Sequence, residues 1–282
     1  MIGYARTARI LRSALFELML PIALAFALVS FLTDPAHIVV TELSANSLMM
    51  NARPMFRVIA PGDELRVALG SSALLLVTAM SGAVVLGVPA AMAYAWSRRR
   101  ATKALVWSVA TVTASLPAFF WAVSLELAMI FVWLRFGVRL LPTAGFGIDE
   151  HLVLPALALA IRPAAYIFRL TALAIEGARH ADYVRTGVAK GLDDRVLLTR
   201  HILPNAAPQI IAAVVLGARG ALSSLVIVEF VYVWGGAGLM FVQAVGDRKL
   251  VLAGELALSF AIGSALLALA ADVARARVRV RA

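Results

Sequence analysis

Several ionisable residues stand inside stretches that are otherwise apolar: Glu126, Arg162, Arg169, Arg219, Glu229 and Glu255. A charge at bilayer depth costs about 3 kcal/mol or more unless it is paired or hydrated, so each of these needs a partner or a wet path. Arg162 and Arg219 each fall near the midpoint of their apolar run, the three glutamates toward one end, and Arg169 toward the other. Two readings follow for the mid-run arginines. They face a translocation path and attract a carboxylate or other anionic group, or they pair with the glutamates, or with a second membrane subunit, to hold helices together. Substitution of Arg219 by Leu separates the two: normal folding with altered solute preference supports the first, loss of assembled protein the second.

Other chemistry is missing. There is no Gly-x-x-x-x-Gly-Lys-Ser/Thr phosphate loop, so any ATP-driven motor must be another subunit. His37, His151, His180 and His201 are scattered and show no ligand spacing, and the chain has no cysteine, so neither a metal site nor a disulfide is expected. No serine lies in a recognisable nucleophile motif, and a membrane enzyme has no positive sign here.

The elements that must hold these residues are membrane helices. A hydrophobic share of 62% with 15% charged residues, and a mean hydropathy of +0.90, exclude an ordinary soluble domain. The net charge of +10 does not point to nucleic acid, because the basic residues sit between apolar segments rather than along one stripe. Six spans are expected, over 13–33, 67–97, 104–134, 151–175, 209–233 and 250–271, in a single all-α membrane domain. Pro117 should kink the third. A cleavable signal peptide is the alternative for the first, since Ala25-Phe26-Ala27 loosely fits a cleavage site. With both termini cytoplasmic, 16 Lys or Arg lie inside and seven outside, whereas the inverted topology reverses that ratio.

The longest polar interruption, Glu176 to Pro208, reads as a docking element. On a continuous helix, Ala174, Gly177, Ala181, Val184 and Val188 share one face, and Arg179, Tyr183, Thr186 and Lys190 the opposite one. Gly191 is the natural left-handed stop, and Asp193 with Asp194 suit the start of a second helix over Val196 to Ile202, ending by Pro204. An ordinary amphipathic interfacial helix would show the same spacing.

The residues Asp182-Tyr183-Val184-Arg185-Thr186, Ala189-Lys190-Gly191-Leu192, Arg200-His201 and Pro204-Asn205 resemble the EAA loop of binding-protein-dependent ABC importer permeases of the dipeptide, oligopeptide and nickel branch. Thr33-Asp34-Pro35-Ala36, Ser115-Leu116-Pro117-Ala118-Phe119 and Leu141-Pro142-Thr143-Ala144-Gly145 are similar to family segments, and the arrangement of the first span, the outer insertion and Val228-Glu229-Phe230 looks like the first of the two permeases usually paired. Gly235 stands where the family has the proline of Pro-Gly-x-Gly, the segment between the first two spans is short, and Glu126, Arg162 and Arg219 depart from the family pattern.

The resemblance implies a type I ABC importer permease fold in the bacterial cytoplasmic membrane. It also implies a second homologous permease, two ATPase subunits that bind ATP and Mg, and an extracytoplasmic solute-binding protein, with no cofactor in this chain. Tyr183, Arg185, Lys190, Gly191 and Leu192 would then be the ATPase-coupling contacts, with Arg162 and Arg219 the candidates for the translocation path. Peptides are the first expected cargo, with nickel or metal chelates, opines and other small solutes behind them. An ion-gradient-driven secondary transporter or channel is the competing class; co-purification of a stoichiometric ATPase discriminates.

Overall fold

A computed structural model describes residues 64–279. The expected first span, 13–33, the Thr33-Asp34-Pro35-Ala36 step and most of the segment that follows lie outside the described residues, as does Arg281. No strand occurs among the described residues; the chain runs through α1 (Glu64–Trp96), α2 (Arg100–Ser115), α3 (Ala118–Phe136), a short 3-10 turn (Glu150–Leu152), α4 (Val153–Arg179), α5 (Asp182–Ala189), α6 (Asp194–Val196), a π-helical segment (Leu197–Ile202), α7 (Leu203–Val231), α8 (Ala237–Gly246) and α9 (Leu250–Arg279). Five helical stretches among these residues are long and apolar enough to cross a bilayer: α1, α3, α4 with its 3-10 turn, the π segment with α7, and α9 up to Ala270.

The helix α4 is the centre of the bundle, packed along α1 and α7 and touching α2 and α3. Over half of its apolar window is buried, 56% against 6% for α3. Close packing on α1 follows from a buried stripe that is small at every position but Leu75: Ala68, Ser71, Ser72, Leu75, Ala79, Ala83, Gly87, Ala91 and Ala95. Gly87 marks the tightest approach, where a Cβ would lie 2.8 Å from the Ala164 carbonyl oxygen. The outward faces carry large apolar side chains, including Val85, Leu127, Leu134 and Val251, as a lipid-facing or partner-facing surface requires.

Two expectations need correction. The third expected span, 104–134, is not one helix: α2 ends at Ser115 and α3 starts at Ala118. Leu116 is extended because the residue before proline is pushed out of the helical region, and Pro117 supplies no N–H. The Thr113 carbonyl, which would have bonded residue 117, accepts instead from Trp121 Nε1 at 3.4 Å. Only α3, at 19 residues, remains of spanning length. Nor does the second helix of the polar stretch end by Pro204. It continues through Pro204 and Pro208 to Val231, with a π-helical segment over Leu197–Ile202 that widens the turn where the Pro204 ring would crowd a regular helix. A further short apolar helix, α8, was not expected, and α9 runs beyond 271 to Arg279.

Candidate functional site

At the end where α1 and α4 finish and α7 begins, α5 packs against the bundle. Its Val184 packs with Ala95, Ile175, Leu198 and Ile202 in one buried cluster. The helical face drawn through 174–188 does not hold, because the chain leaves helical geometry at Ala181 (φ −71, ψ 149) and the phase restarts. Val184 and Gly187 are therefore the buried pair, and Val188 is 60% exposed. Gly187 is the residue that sequence reasoning missed. A Cβ there would lie 2.5 Å from Leu197 Cδ2, so the lack of a side chain at position 187 is what lets that leucine lie against α5 as it does.

The corner after α5 is a Schellman motif. Gly191 takes φ +75, its N–H donates to the Val188 carbonyl at 2.9 Å, and the Leu192 N–H donates to the Gly187 carbonyl at 3.1 Å. Nothing lies within 4 Å of a Cβ built on Gly191, so its requirement is conformational rather than steric. Tyr183, Arg185, Lys190 and Leu192 are all exposed around this corner. Tyr183 also borders a cleft of about 760 Å³ between α4 and α7, lined by Ala174, Gly177, Asn205 and Gln209 among others. Asp194 opens α6 and meets Arg98 of the α1–α2 link at 3.3 Å, while Lys103 of α2 meets Glu176 of α4 at 2.6 Å. Arg169 stacks over the Trp107 ring at 5.4 Å, so this end is tied together by α2 as well.

Halfway along the bundle, the structure brings Arg162 and Arg219 to one cavity of about 390 Å³, which also has Tyr166, Ser223, Ser224 and Ser264 in its lining. Tyr166 and Ser223 follow the two arginines at i+4, the spacing that puts residues on one helix face, and that signal was readable from sequence. Ser264 comes from α9, which no local pattern connects to the arginines. Arg162 Nε donates to the Ala114 carbonyl at 3.3 Å, at the α2–α3 break, and its guanidinium lies 5.6 Å from the Tyr166 ring centre. No described ion pair joins Arg162 to a glutamate.

Glu229 is committed elsewhere. It is fully buried and accepts from Ser72 Oγ at 2.5 Å, the Gly238 N–H at 2.7 Å and the Leu239 N–H at 3.1 Å, while Ser72 Oγ in turn accepts from the Ala237 N–H at 2.8 Å. One carboxylate thus pins the start of α8 to α7 and, through Ser72, to α1, where a helix N-terminus favours negative charge. Two glycines of Trp234-Gly235-Gly236-Ala237-Gly238 acquire a reason: a Cβ on Gly236 would overlap the Glu229 carboxylate, and one on Gly238 would lie 2.6 Å from Val226 Cα. Trp234 Nε1 donates to the Ser71 carbonyl at 3.2 Å and Tyr232 Oη to the Ala122 carbonyl at 2.9 Å, and the Tyr232 carbonyl accepts from the Gly145 N–H at 2.9 Å.

Among the described residues the chain is an all-α bundle with five helical stretches long and apolar enough to cross a membrane and a short helix, α5, packed at one end. The chain belongs to the family of binding-protein-dependent transport system inner membrane components, whose pattern matches residues 83–281, and is an ABC importer permease component. It is similar to the glutathione transport system permease protein GsiC of Escherichia coli strain K12, with 29% identity over 232 residues that cover 82% of this chain and 72% of the relative. The same protein in Shigella flexneri serotype 5b and Shigella boydii serotype 4 matches with the same identity and coverage. Membership implies ATPase and substrate-binding partners.

Proposed function

We propose that this chain moves a small solute, a di- or oligopeptide before a nickel or other metal chelate, across the cytoplasmic membrane by alternating access, with ATP and Mg handled by separate subunits. The assembly contains a second homologous permease, two ATPase subunits and an extracytoplasmic solute-binding protein, and both termini of this chain are cytoplasmic. Tyr183, Arg185, Lys190, Gly191 and Leu192 meet the ATPase, and Arg162 and Arg219 line the path. The glutathione named for the relatives supports a cargo of peptide size.

The observation that carries the reading is the Gly191 corner: a short helix locked by a Schellman motif, buried through Val184 on the ends of α1, α4 and the π segment, with its polar side exposed. Because α4 and α7 run from this corner past the cavity, a partner that prefers one position of α5 shifts the population of bundle states. An exposed aromatic such as Tyr183 would contribute on the order of 2 kcal/mol to such docking. The experiment is Gly191→Val in reconstituted vesicles holding the complete complex. Inserted protein whose ATP hydrolysis no longer drives uptake supports the proposal; unimpaired uptake rejects it.

A further inference from the structure

We propose that the corner between α1 and α2 docks an anionic phospholipid, whose phosphate rests on Arg99 and Arg100 while its acyl chains lie along the exposed apolar stripe of α2. The proposal needs only that the chain resides in a membrane. It is independent of the cargo, of the direction of transport and of the ATPase.

Four cations fall close together in the chain here, Arg98, Arg99, Arg100 and Lys103. Two are neutralised within the protein, Arg98 by Asp194 at 3.3 Å and Lys103 by Glu176 at 2.6 Å. Arg99 and Arg100 are exposed, and their side chains make no hydrogen bond or ion pair among the described residues. Arg169 adds a further cation: it lies over the Trp107 ring at 5.4 Å, and its Nε is buried with no hydrogen-bond partner among the described residues. The corner thus carries more positive charge than its described contacts compensate. Two adjacent guanidinium groups offer the forked donors that suit phosphate oxygens, and basic clusters at the end of a membrane helix attract anionic headgroups.

Two further features favour a lipid over a soluble anion or an acidic protein. The first is the level of the corner in the bilayer. Tyr94 and Trp96 precede the basic run and Trp107 follows it, and aromatic side chains with one polar edge collect at the depth of the headgroups. Tyr94 and Trp107 lie 6.0 Å apart, and Lys103 Nζ is 4.9 Å from the Tyr94 ring centre, so aromatics and cations share that level. The second is the surface that adjoins the cations. Helix α2 buries only Ala110 and Ala114, and leaves Leu105, Val109 and Val112 more than half exposed along one stripe. That stripe begins about 7 Å along the helix from Arg100, close to the thickness of one headgroup layer. A phosphate joined to acyl chains covers both parts, whereas a soluble anion leaves the stripe bare.

The full-length protein in nonionic detergent is titrated with phosphatidylglycerol and, separately, with phosphatidylcholine of the same chains, and thermal unfolding is followed. The concentration of phosphatidylglycerol that gives half the full stabilisation should be about thirtyfold lower, about fivefold for each arginine, and the gap should narrow at high salt. The Arg99→Gln, Arg100→Gln double variant should lose the preference, and the Arg99→Lys, Arg100→Lys double variant should keep most of it. Arg135→Gln with Arg139→Gln, which removes the same charge at and just after the end of α3, should leave it unchanged. Equal stabilisation by the two lipids overturns the site, as does equal loss of the preference in the variant at Arg135 and Arg139. Stabilisation by glycerol 3-phosphate as strong as by phosphatidylglycerol would assign the corner to a soluble phosphate and reject the lipid. A glutamine variant that keeps the lipid preference but sheds the ATPase from the complete complex would assign it to a protein partner instead. Because the titration uses this chain alone and no ATP, its failure leaves the importer reading standing, and a failure of ATP-driven uptake leaves the lipid site standing.

Discussion

Three described helices end in the same backbone corner, α5, α7 and, through Arg248 at φ 58, α8, and the first two have opposite surroundings. After α5 the left-handed residue is Gly191, exposed, with open space where a Cβ would be. After α7 it is Val233 at φ 52, and again the next N–H, that of Trp234, reaches back to the Glu229 carbonyl at 2.8 Å while the Val233 N–H reaches Phe230 at 3.3 Å. A β-branched residue there is strained, and it is held by flanking side chains that are themselves fully buried, Tyr232 and Trp234. The difference separates two tasks. The Gly191 corner sets an angle on a surface that a partner can reach, whereas the Val233 corner closes a packed junction in which α1, α7 and α8 cannot move independently.

The strongest way to break this comparison is at the carboxylate beneath the second corner. Glu229→Ala leaves Ser72 Oγ and the N–H groups of Gly238 and Leu239 without their acceptor in a site closed to solvent. The expected cost is about 3–5 kcal/mol, seen as loss of monodisperse protein after detergent extraction. Recovery of normal yield and thermal stability would show that the junction is not what holds α8. At the first corner the corresponding steric change is Gly187→Val, whose Cβ would meet Leu197. About 1–3 kcal/mol of destabilisation is expected, reduced in a Gly187→Val, Leu197→Ala double variant because the overlap is with that one side chain. Additive effects of the two changes would refute the contact.

Gly191 comes next and acts through the backbone alone. Gly191→Ala should cost about 1 kcal/mol and Gly191→Asn less, since asparagine tolerates the left-handed region. The ranking Val worst, then Ala, then Asn, read from thermal unfolding, distinguishes a conformational requirement from a packing one, for which asparagine would be worse than alanine.

The two corners were not equally legible in the sequence. Gly191 was, because a glycine closing an amphipathic run is a local signal. Val233 was not, because its left-handed geometry is imposed by burial of Tyr232 and Trp234 and by hydrogen bonds to Ser71, Ala122 and Gly145, all distant in the chain. Hydropathy placed the long helices that the structure describes but not the end of α2, since an apolar run continues across it; Pro117 marked the place, though as a kink within one helix rather than a break between two. The wheel through 174–188 failed for a related reason: Ala181 is a good helix former, and its extended backbone comes from how α5 docks. Arg162 and Arg219 could be named from their cost in a membrane, but their meeting in one cavity depends on how α4, α7 and α9 pack.

The smallest effect sharpens the comparison most, because its sign is opposite. Val233→Gly removes the strain of a branched side chain at positive φ, about 1–2 kcal/mol, and returns about 0.5–1 kcal/mol of it as the greater freedom of glycine in the unfolded chain. A net gain of about 0.5–1 kcal/mol is expected, measured as a higher unfolding temperature in detergent. Transport should be unchanged, because the hydrogen bonds of the corner come from the backbone of Val233 and Trp234 rather than from the valine side chain. Destabilisation would mean that Val233 contributes packing larger than its strain. The glycine at 191 and the valine at 233 would then differ by what surrounds each side chain, not by what each backbone requires.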